Sequence, residues 1–345
     1  MEQIRGLEEL RRLVLEAGRC AACGACAGRC PYLTAFRGKT VTLDSCTVEQ
    51  GRCFAHCPMT FFEPHEASLL VFQAPYQEGA SIGRFREVAA SRAADEAIAA
   101  SGQGGGTVTA ILTTALQEGM IDCAILTGLP EGEAYPRGLV ASTVSEIAAC
   151  AGSRYVGAHS LSALREALDR GFQKIAVVGL PCQVKSVRKM ALYDLKGDNL
   201  RERISFVIGL FCNWAFNSRE FVSFLSDELG LTRVGKLHIP PPPANVVEVE
   251  TGNSVHRIPL ERVRPLIQAA CGECTDMTSE FADVSVGMYE GRPGWNTLIT
   301  RTDSGERLVK HTVARGSLLM EAFPGANLEH LMEASANKKR RGSKV

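Results

Sequence analysis

Apolar residues at Ile4, Leu7, Leu10, Leu13 and Val14 fall near one helical face, and this spacing predicts a helix over residues 1–19. Between residues 20 and 58 hydrophobic periodicity fades and cysteines take its place. Residues 59–80 read as a connection. From about residue 85 helical and strand-like patterns alternate, the texture of an α/β fold. Thr107–Met120 places Val108, Ile111, Leu112, Ala115 and Leu116 on one face, and Ile121–Thr127 reads as a short buried strand. Three further apolar runs have strand character: Lys174–Leu180, followed by Pro181-Cys182 and a helix expected from Val184; Ile204–Cys212; and Ala282–Gly287. Pro240–Pro243 marks a rigid turn. No repeat is visible beyond the two halves of the cysteine segment. The pattern divides the chain into an N-terminal module (1–65), two parts of a larger domain (80–160 and 161–325) and a basic tail (326–345).

Lys plus Arg and Asp plus Glu balance at 38 each, so the basic excess expected of a nucleic-acid binder is missing. Lys338-Lys339-Arg340-Arg341 is a short basic run, read as a solvated tail. The first residues lack the apolar core of a signal peptide, and no stretch of about 18 apolar residues occurs, so a cytoplasmic location is expected. Thirteen cysteines in a reducing compartment then favour metal or redox chemistry over disulfides.

Cys20, Cys23, Cys26, Cys30 and Pro31 form C-x2-C-x2-C-x3-C-P, the bacterial ferredoxin run, whose fourth cysteine serves the other cluster. Zinc sites are usually two separated pairs, which this is not. Cys46, Cys53, Cys57 and Pro58 repeat the end of the run, but six residues separate Cys46 from Cys53 and one cysteine is missing. By the same logic Cys57 completes the site of Cys20, Cys23 and Cys26 as a 4Fe-4S cluster. Cys30, Cys46 and Cys53 then make a three-thiolate site. It could hold a 3Fe-4S cluster, or a 4Fe-4S cluster with Glu49 or His56 as the remaining ligand. Cys182 and Cys212 each end an apolar run, so a parallel sheet would place both at its ligand-binding edge, and Cys271-x2-Cys274 could be brought beside them. On spacing alone Cys182 and Cys212 could equally be buried core cysteines. Cys123 and Cys150 have no partners and are assigned to the core.

Ser101, Gly102, Gln103, Gly104, Gly105, Gly106 and Thr107 precede the amphipathic helix as a glycine-rich loop of the kind that cradles phosphate. The loop departs from the dinucleotide fingerprint G-x-G-x-x-G. A chain of one-electron clusters needs a two-electron partner to serve a hydride carrier, and a flavin makes that conversion. A flavin on this loop is therefore expected. No Ser-His-Asp arrangement, zinc-protease motif or Walker loop is present, and the seven histidines are scattered.

The segments SGQGGGTVTAILTTALQEGMID, AVVGLPCQ, VIGLFC and CGECTDMTSEFADVSVG together resemble the beta subunit of coenzyme F-420 hydrogenase/dehydrogenase, over about residues 80 to 320. The cysteine segment looks like an N-terminal extension that many members carry. The resemblance implies an FAD-containing oxidoreductase subunit passing electrons between a deazaflavin and iron–sulfur clusters. It also implies that Cys182, Cys212, Cys271 and Cys274 hold a 4Fe-4S cluster near the flavin. Members of the family accompany nickel–iron hydrogenases, formate dehydrogenases and heterodisulfide reductase-like complexes, and others reduce chlorophyll derivatives or sulfite.

The expected fold is an α/β flavin-binding domain carrying a small ferredoxin-like (α+β) iron–sulfur module. The expected activity is electron transfer between a hydride carrier, with the deazaflavin F-420 ahead of NAD(P)H, and a partner redox subunit. A stand-alone ferredoxin-type carrier and a flavin reductase of an organic substrate are the rival readings.

Overall fold

The computed structural model describes residues 4–195, 197–231, 236–240, 243–251 and 254–343. The Pro240–Pro243 turn lies partly outside them. Among the described residues thirteen strands form three sheets. The first is a hairpin of β1 (Leu33–Phe36) and β2 (Lys39–Thr42) in the cysteine segment. The large sheet contains β3 (Glu87–Ala93), β4 (Cys123–Gly128), β5 (Arg137–Ala141), β6 (Ile175–Gly179) and β7 (Ile204–Leu210). A small antiparallel sheet of β8 (Leu237–His238), β9 (Val246–Thr251) and β10 (Ser254–Pro259) follows in the chain. The large sheet is completed by β11 (Val284–Met288), β12 (Asn296–Thr300) and β13 (Leu318–Ala322). Its order is β13-β3-β12-β11-β7-β6-β4-β5, so strands from before and after residue 160 interleave.

The centre of that sheet is parallel: β4 pairs with β6, β6 with β7 and β7 with β11. These strands are continuous apolar runs because helices cover both their faces. Alternation along each strand feeds two cores. Ala124, Leu126, Ala176, Val178 and Ile208 face one, and Cys123, Ile125, Ile175, Val177 and Val207 the other. The predicted strands are thus present, while β3, β5, β12 and β13 add antiparallel edges the sequence reading did not resolve.

Local sequence explains the differences at the helices. The first helix is confined to Leu7–Leu10 and a wider turn at Arg11–Leu15, with Ile4, Leu7, Leu10 and Val14 buried. The expected connection after residue 58 contains a helix, Pro64–Phe72, opened by a proline at its first position, where the missing N–H costs nothing. Likewise the helix expected from Val184 begins at Pro181, and the Gln183 side chain accepts from the Leu180 N–H at 2.8 Å. Cys182 therefore sits in a helix's first turn. The small sheet packs with the helix Ser218–Leu229 around Phe216, Phe221, Leu225 and Val249.

Residues 326–342 differ most from expectation. They belong to a helix, Gly325–Gly342, in which Leu331, Ser335, Lys338 and Gly342 are buried. The spacing of four, three and four puts these residues on one stripe. A solvated tail would bury none of them.

Candidate redox site

The carboxyl ends of β4, β6, β7 and β11 lie along one edge of the sheet, the ligand-binding edge of open α/β folds. Cys182 follows β6 and Cys212 follows β7 there. Burial first, then the charges of Cys23, Cys274, Cys212 and Cys271, hold the Cys182 thiol well above its ordinary range. These four neighbours place the dispersed cysteines together and set Cys23 beside them. Cys212 is pushed up to about 12 by burial, with Cys271 and Cys274 adding to the shift and Lys338 opposing it. The Ala215 N–H donates to Cys271 Sγ at 3.3 Å, a contact of the kind that stabilises a thiolate.

Cys20, Cys23, Cys26 and Cys57 line a second enclosure, closed by Leu10, Val14 and Pro58. Cys57, pushed up to about 12 by burial, also feels Cys23 and Cys20. The predicted set, with Cys57 as remote member, is thus assembled. Cys30 and Cys46 face Cys53, whose thiol burial raises to about 12. The Cys26 thiol feels both Cys57 and Cys53, which makes the second and third groups neighbours. His56 is removed from the candidate ligands: its Nε2 meets the Tyr193 carbonyl at 2.9 Å and its Nδ1 faces Arg29 Nη1 at 3.4 Å. Glu49 is exposed on the loop after Cys46, with no side-chain partner among the described residues. Cys123 is core, as assigned, and Cys150 packs at the margin of the same sheet.

Among the described residues no three His, Cys, Asp or Glu side chains converge as they would on a single metal ion. A cube of iron and sulfur spreads its four thiolates over separate corners. The donor chemistry fits such a core: buried thiols grouped so that each resists ionisation of the next need positive charge at their centre.

The glycine loop shares this edge. Asn296, at the start of β12, pairs with Met288 at the end of β11, and the Thr107 N–H reaches Asn296 Oδ1 at 3.4 Å. Ser101 is exposed, Gly105 and Gly106 are buried, and Gln103 bonds His238 Nδ1 at 2.8 Å and the Ser153 N–H at 3.3 Å. Part of the glycine content serves packing. At Gly105, with φ of +119°, a Cβ would stand 2.5 Å from the Gly294 carbonyl oxygen. A valine there would disturb the loop whether or not it holds a ligand.

Sequence reasoning missed three lysines. Lys189 is fully buried and donates to the Cys57 carbonyl (2.7 Å), Thr60 Oγ1 (2.7 Å) and the Phe61 carbonyl (2.5 Å). Lys185 stands over the Phe62 ring and feels the charges of both Cys274 and Cys57, so it lies between two cysteine groups. Lys338 donates to the Cys212 carbonyl at 2.5 Å. Burial opposes its charge, yet the surrounding thiols and Asp276 raise its pKa above the ordinary value. None of the three had a readable signal: even the stripe that Lys338 shares with Leu331, Ser335 and Gly342 holds a single large apolar residue.

A mixed α/β sheet with cysteine groups gathered at and beyond its ligand-binding edge defines an oxidoreductase. The chain belongs to the family of the coenzyme F420 hydrogenase/dehydrogenase beta subunit: the N-terminal family model matches residues 88–165 and the C-terminal one residues 172–325. It is 33% identical to the coenzyme F420 hydrogenase subunit beta of Methanothermobacter thermautotrophicus, over 76% of this chain and 94% of that protein. It is 28% identical to a component of the F(420)H(2) dehydrogenase of Methanosarcina mazei, over 91% of this chain and 88% of that protein. It also matches 48% of the coenzyme F420-dependent sulfite reductase of Methanocaldococcus jannaschii, at 32% identity over 92% of this chain. A chain of the F420-reducing nickel–iron hydrogenase complex from Methanosarcina barkeri superposes with a TM-score of 0.71, at 29% identity, covering 78% of this chain and 93% of that one. Among the described residues no helix is long and apolar enough to cross a membrane.

Proposed function

We propose that this chain is an FAD- and iron–sulfur-carrying subunit that passes electrons between reduced coenzyme F420 and a partner redox subunit. The observation that carries the reading is the contiguity of three cysteine groups. Cys182 of the first group feels the charge of Cys23 of the second, and Cys26 of the second feels that of Cys53 of the third. The line starts at the sheet edge that holds the glycine loop and ends at a segment whose residues 47–50 are exposed.

A flavin bound there would supply the exchange between hydride and single electrons. The protein's part is to hold each group close to the next and to keep water away. The loop Ser101–Thr107 is the proposed seat of the flavin pyrophosphate, where a helix N-terminus offers free N–H groups. Cys20, Cys23, Cys26 and Cys57 are the proposed ligands of one 4Fe-4S cluster. Cys30, Cys46 and Cys53 are those of an atypical second, and Cys182, Cys212, Cys271 and Cys274 those of the one nearest the flavin. Coenzyme F420 is favoured over a nicotinamide because it appears in the names of the relatives above.

Stopped-flow mixing with reduced F420 tests the reading. Flavin bleaching should be fast in the intact chain and in Cys182→Ser, while the clusters of the variant stay oxidised and its iron falls by about four atoms. Fast bleaching by NADH but not by reduced F420 would replace the donor. Unchanged iron and onward transfer in the variant would return Cys182 to the core cysteines.

A further inference from the structure

The helix Gly325–Gly342 continues from the residue at which the family match ends. It seals the four-cysteine group from one side. Ser335 Oγ donates to the Ser81 carbonyl at 2.6 Å, and Lys339 Nζ donates to the Ala80 carbonyl at 2.7 Å and pairs with Glu280 at 2.6 Å. Gly342 lies so close to the Cys271–Cys274 loop that a Cβ would stand 2.6 Å from the Cys274 carbonyl oxygen. Between these anchors Lys338, 2% exposed, reaches the Cys212 carbonyl. One helix therefore touches two of the three chain segments that carry the group.

A buried ammonium is expensive unless charge of the opposite sign faces it. Lys339 has Glu280. Among the described residues no carboxylate stands within ion-pair distance of Lys338; its bonded partner is a neutral carbonyl on a cysteine of the group. The negative charge within its reach is that of Asp276 and of the Cys212, Cys274 and Cys271 sulfurs. Four thiolates around an iron–sulfur core leave a net anion, and net charge and hydrogen bonding set the potential of such a core.

We propose that Lys338 is the counter-charge of the four-cysteine cluster, a positioning residue that fixes the Cys212 segment and raises the cluster's reduction potential. The inference rests on the reading of Cys182, Cys212, Cys271 and Cys274 as ligands. When the cluster takes up one electron, no bond changes, and the added negative charge falls beside a cation already in place. Electrons coming from the flavin side would thus find a better acceptor than an uncompensated four-thiolate core.

The test is a redox titration of the full chain, purified without oxygen and followed by electron paramagnetic resonance. Lys338→Met keeps the length of the side chain and removes the charge, Lys338→Gln also keeps a donor for the Cys212 carbonyl, and Lys338→Arg keeps both charge and donor. Met and Gln should shift one cluster's midpoint to more negative potential with iron content unchanged, and Arg should restore it. Iron loss confined to Met and Gln would equally show that the charge is required. Unmoved midpoints with full iron, or equal iron loss in all three variants, would overturn the proposal. Wild-type protein with no iron attributable to the four-cysteine group would instead overturn the ligand reading on which it rests.

Discussion

At the scale of single residues, burial decides how ionisable groups behave beside the cysteines. His159 is buried, its Nε2 meets Thr40 Oγ1 at 3.0 Å, and desolvation lowers its pKa to about 4. Thr40 Oγ1 in turn touches Cys20 Sγ at 3.6 Å. An unfolded histidine titrates near its ordinary value of about 6.5, so between the two values the unfolded chain binds more protons. The stability this group contributes is complete above about pH 6.5 and is lost as the pH falls toward 4. Going from pH 7 to pH 5 should cost about 2 kcal/mol through this residue. Urea unfolding of His159→Gln should show that much less acid sensitivity than the wild-type chain. Equal sensitivity would mean that His159 is not held neutral by the fold.

At the scale of elements, contacts between strand ends and helix starts shape the site. Asn296, 8% exposed, donates to the Gly287 carbonyl at 3.1 Å and accepts from the Thr107 N–H, so one side chain joins β11, β12 and the glycine-loop helix. Asn296→Ala should cost about 1–3 kcal/mol, since two backbone groups lose their partner. A urea midpoint equal to wild type would show that water replaces the side chain. The sequence made the parallel strands legible because fully buried strands are unbroken apolar runs, as in Ile175–Gly179. It made the ferredoxin run legible because C-x2-C-x2-C-x3-C-P is a fixed and specific spacing. The edge strands were not legible. Glu87–Ala93 carries Glu87, Ser91 and Arg92 among alanines, and its strand identity comes from pairing with β12 and β13, which are distant in the chain. Nor was the final helix, whose buried stripe contains a serine, a lysine and a glycine where an amphipathic pattern would show apolar residues. Grouping Cys182 with Cys271 was beyond spacing alone, because the small sheet and its helix intervene between them in the chain.

At the scale of the whole molecule, the N-terminal segment is built into the body rather than tethered to it. Cys23 and Ala25 share a core with Ile125, Val177 and Leu161 of the large domain. Arg19 forms a two-pronged pair with Glu273, at 2.6 and 2.5 Å, bridging the residue before Cys20 to the Cys271–Cys274 loop. Both partners are partly exposed, so Glu273→Gln should lower stability by no more than about 1 kcal/mol. Its clearer effect should be faster amide hydrogen exchange over residues 20–30, read by mass spectrometry. Unchanged exchange there would mean that backbone contacts alone hold the segment.

Those backbone contacts have a consequence for how such a protein can be assembled from parts. Gly24 and Gly28, within the ferredoxin run, lie against the main chain of His159 and Ser162 so closely that a Cβ would stand 2.4 and 2.2 Å from their carbonyl oxygens. A generic two-cluster ferredoxin grafted onto the amino end of a body lacking it could reproduce the cysteine count and still make a poor junction. The contact between the segment and the large domain is moulded by two hydrogen atoms where side chains would otherwise stand. The segment and residues 157–163 are therefore a matched plug and socket, which recombination would have to exchange together.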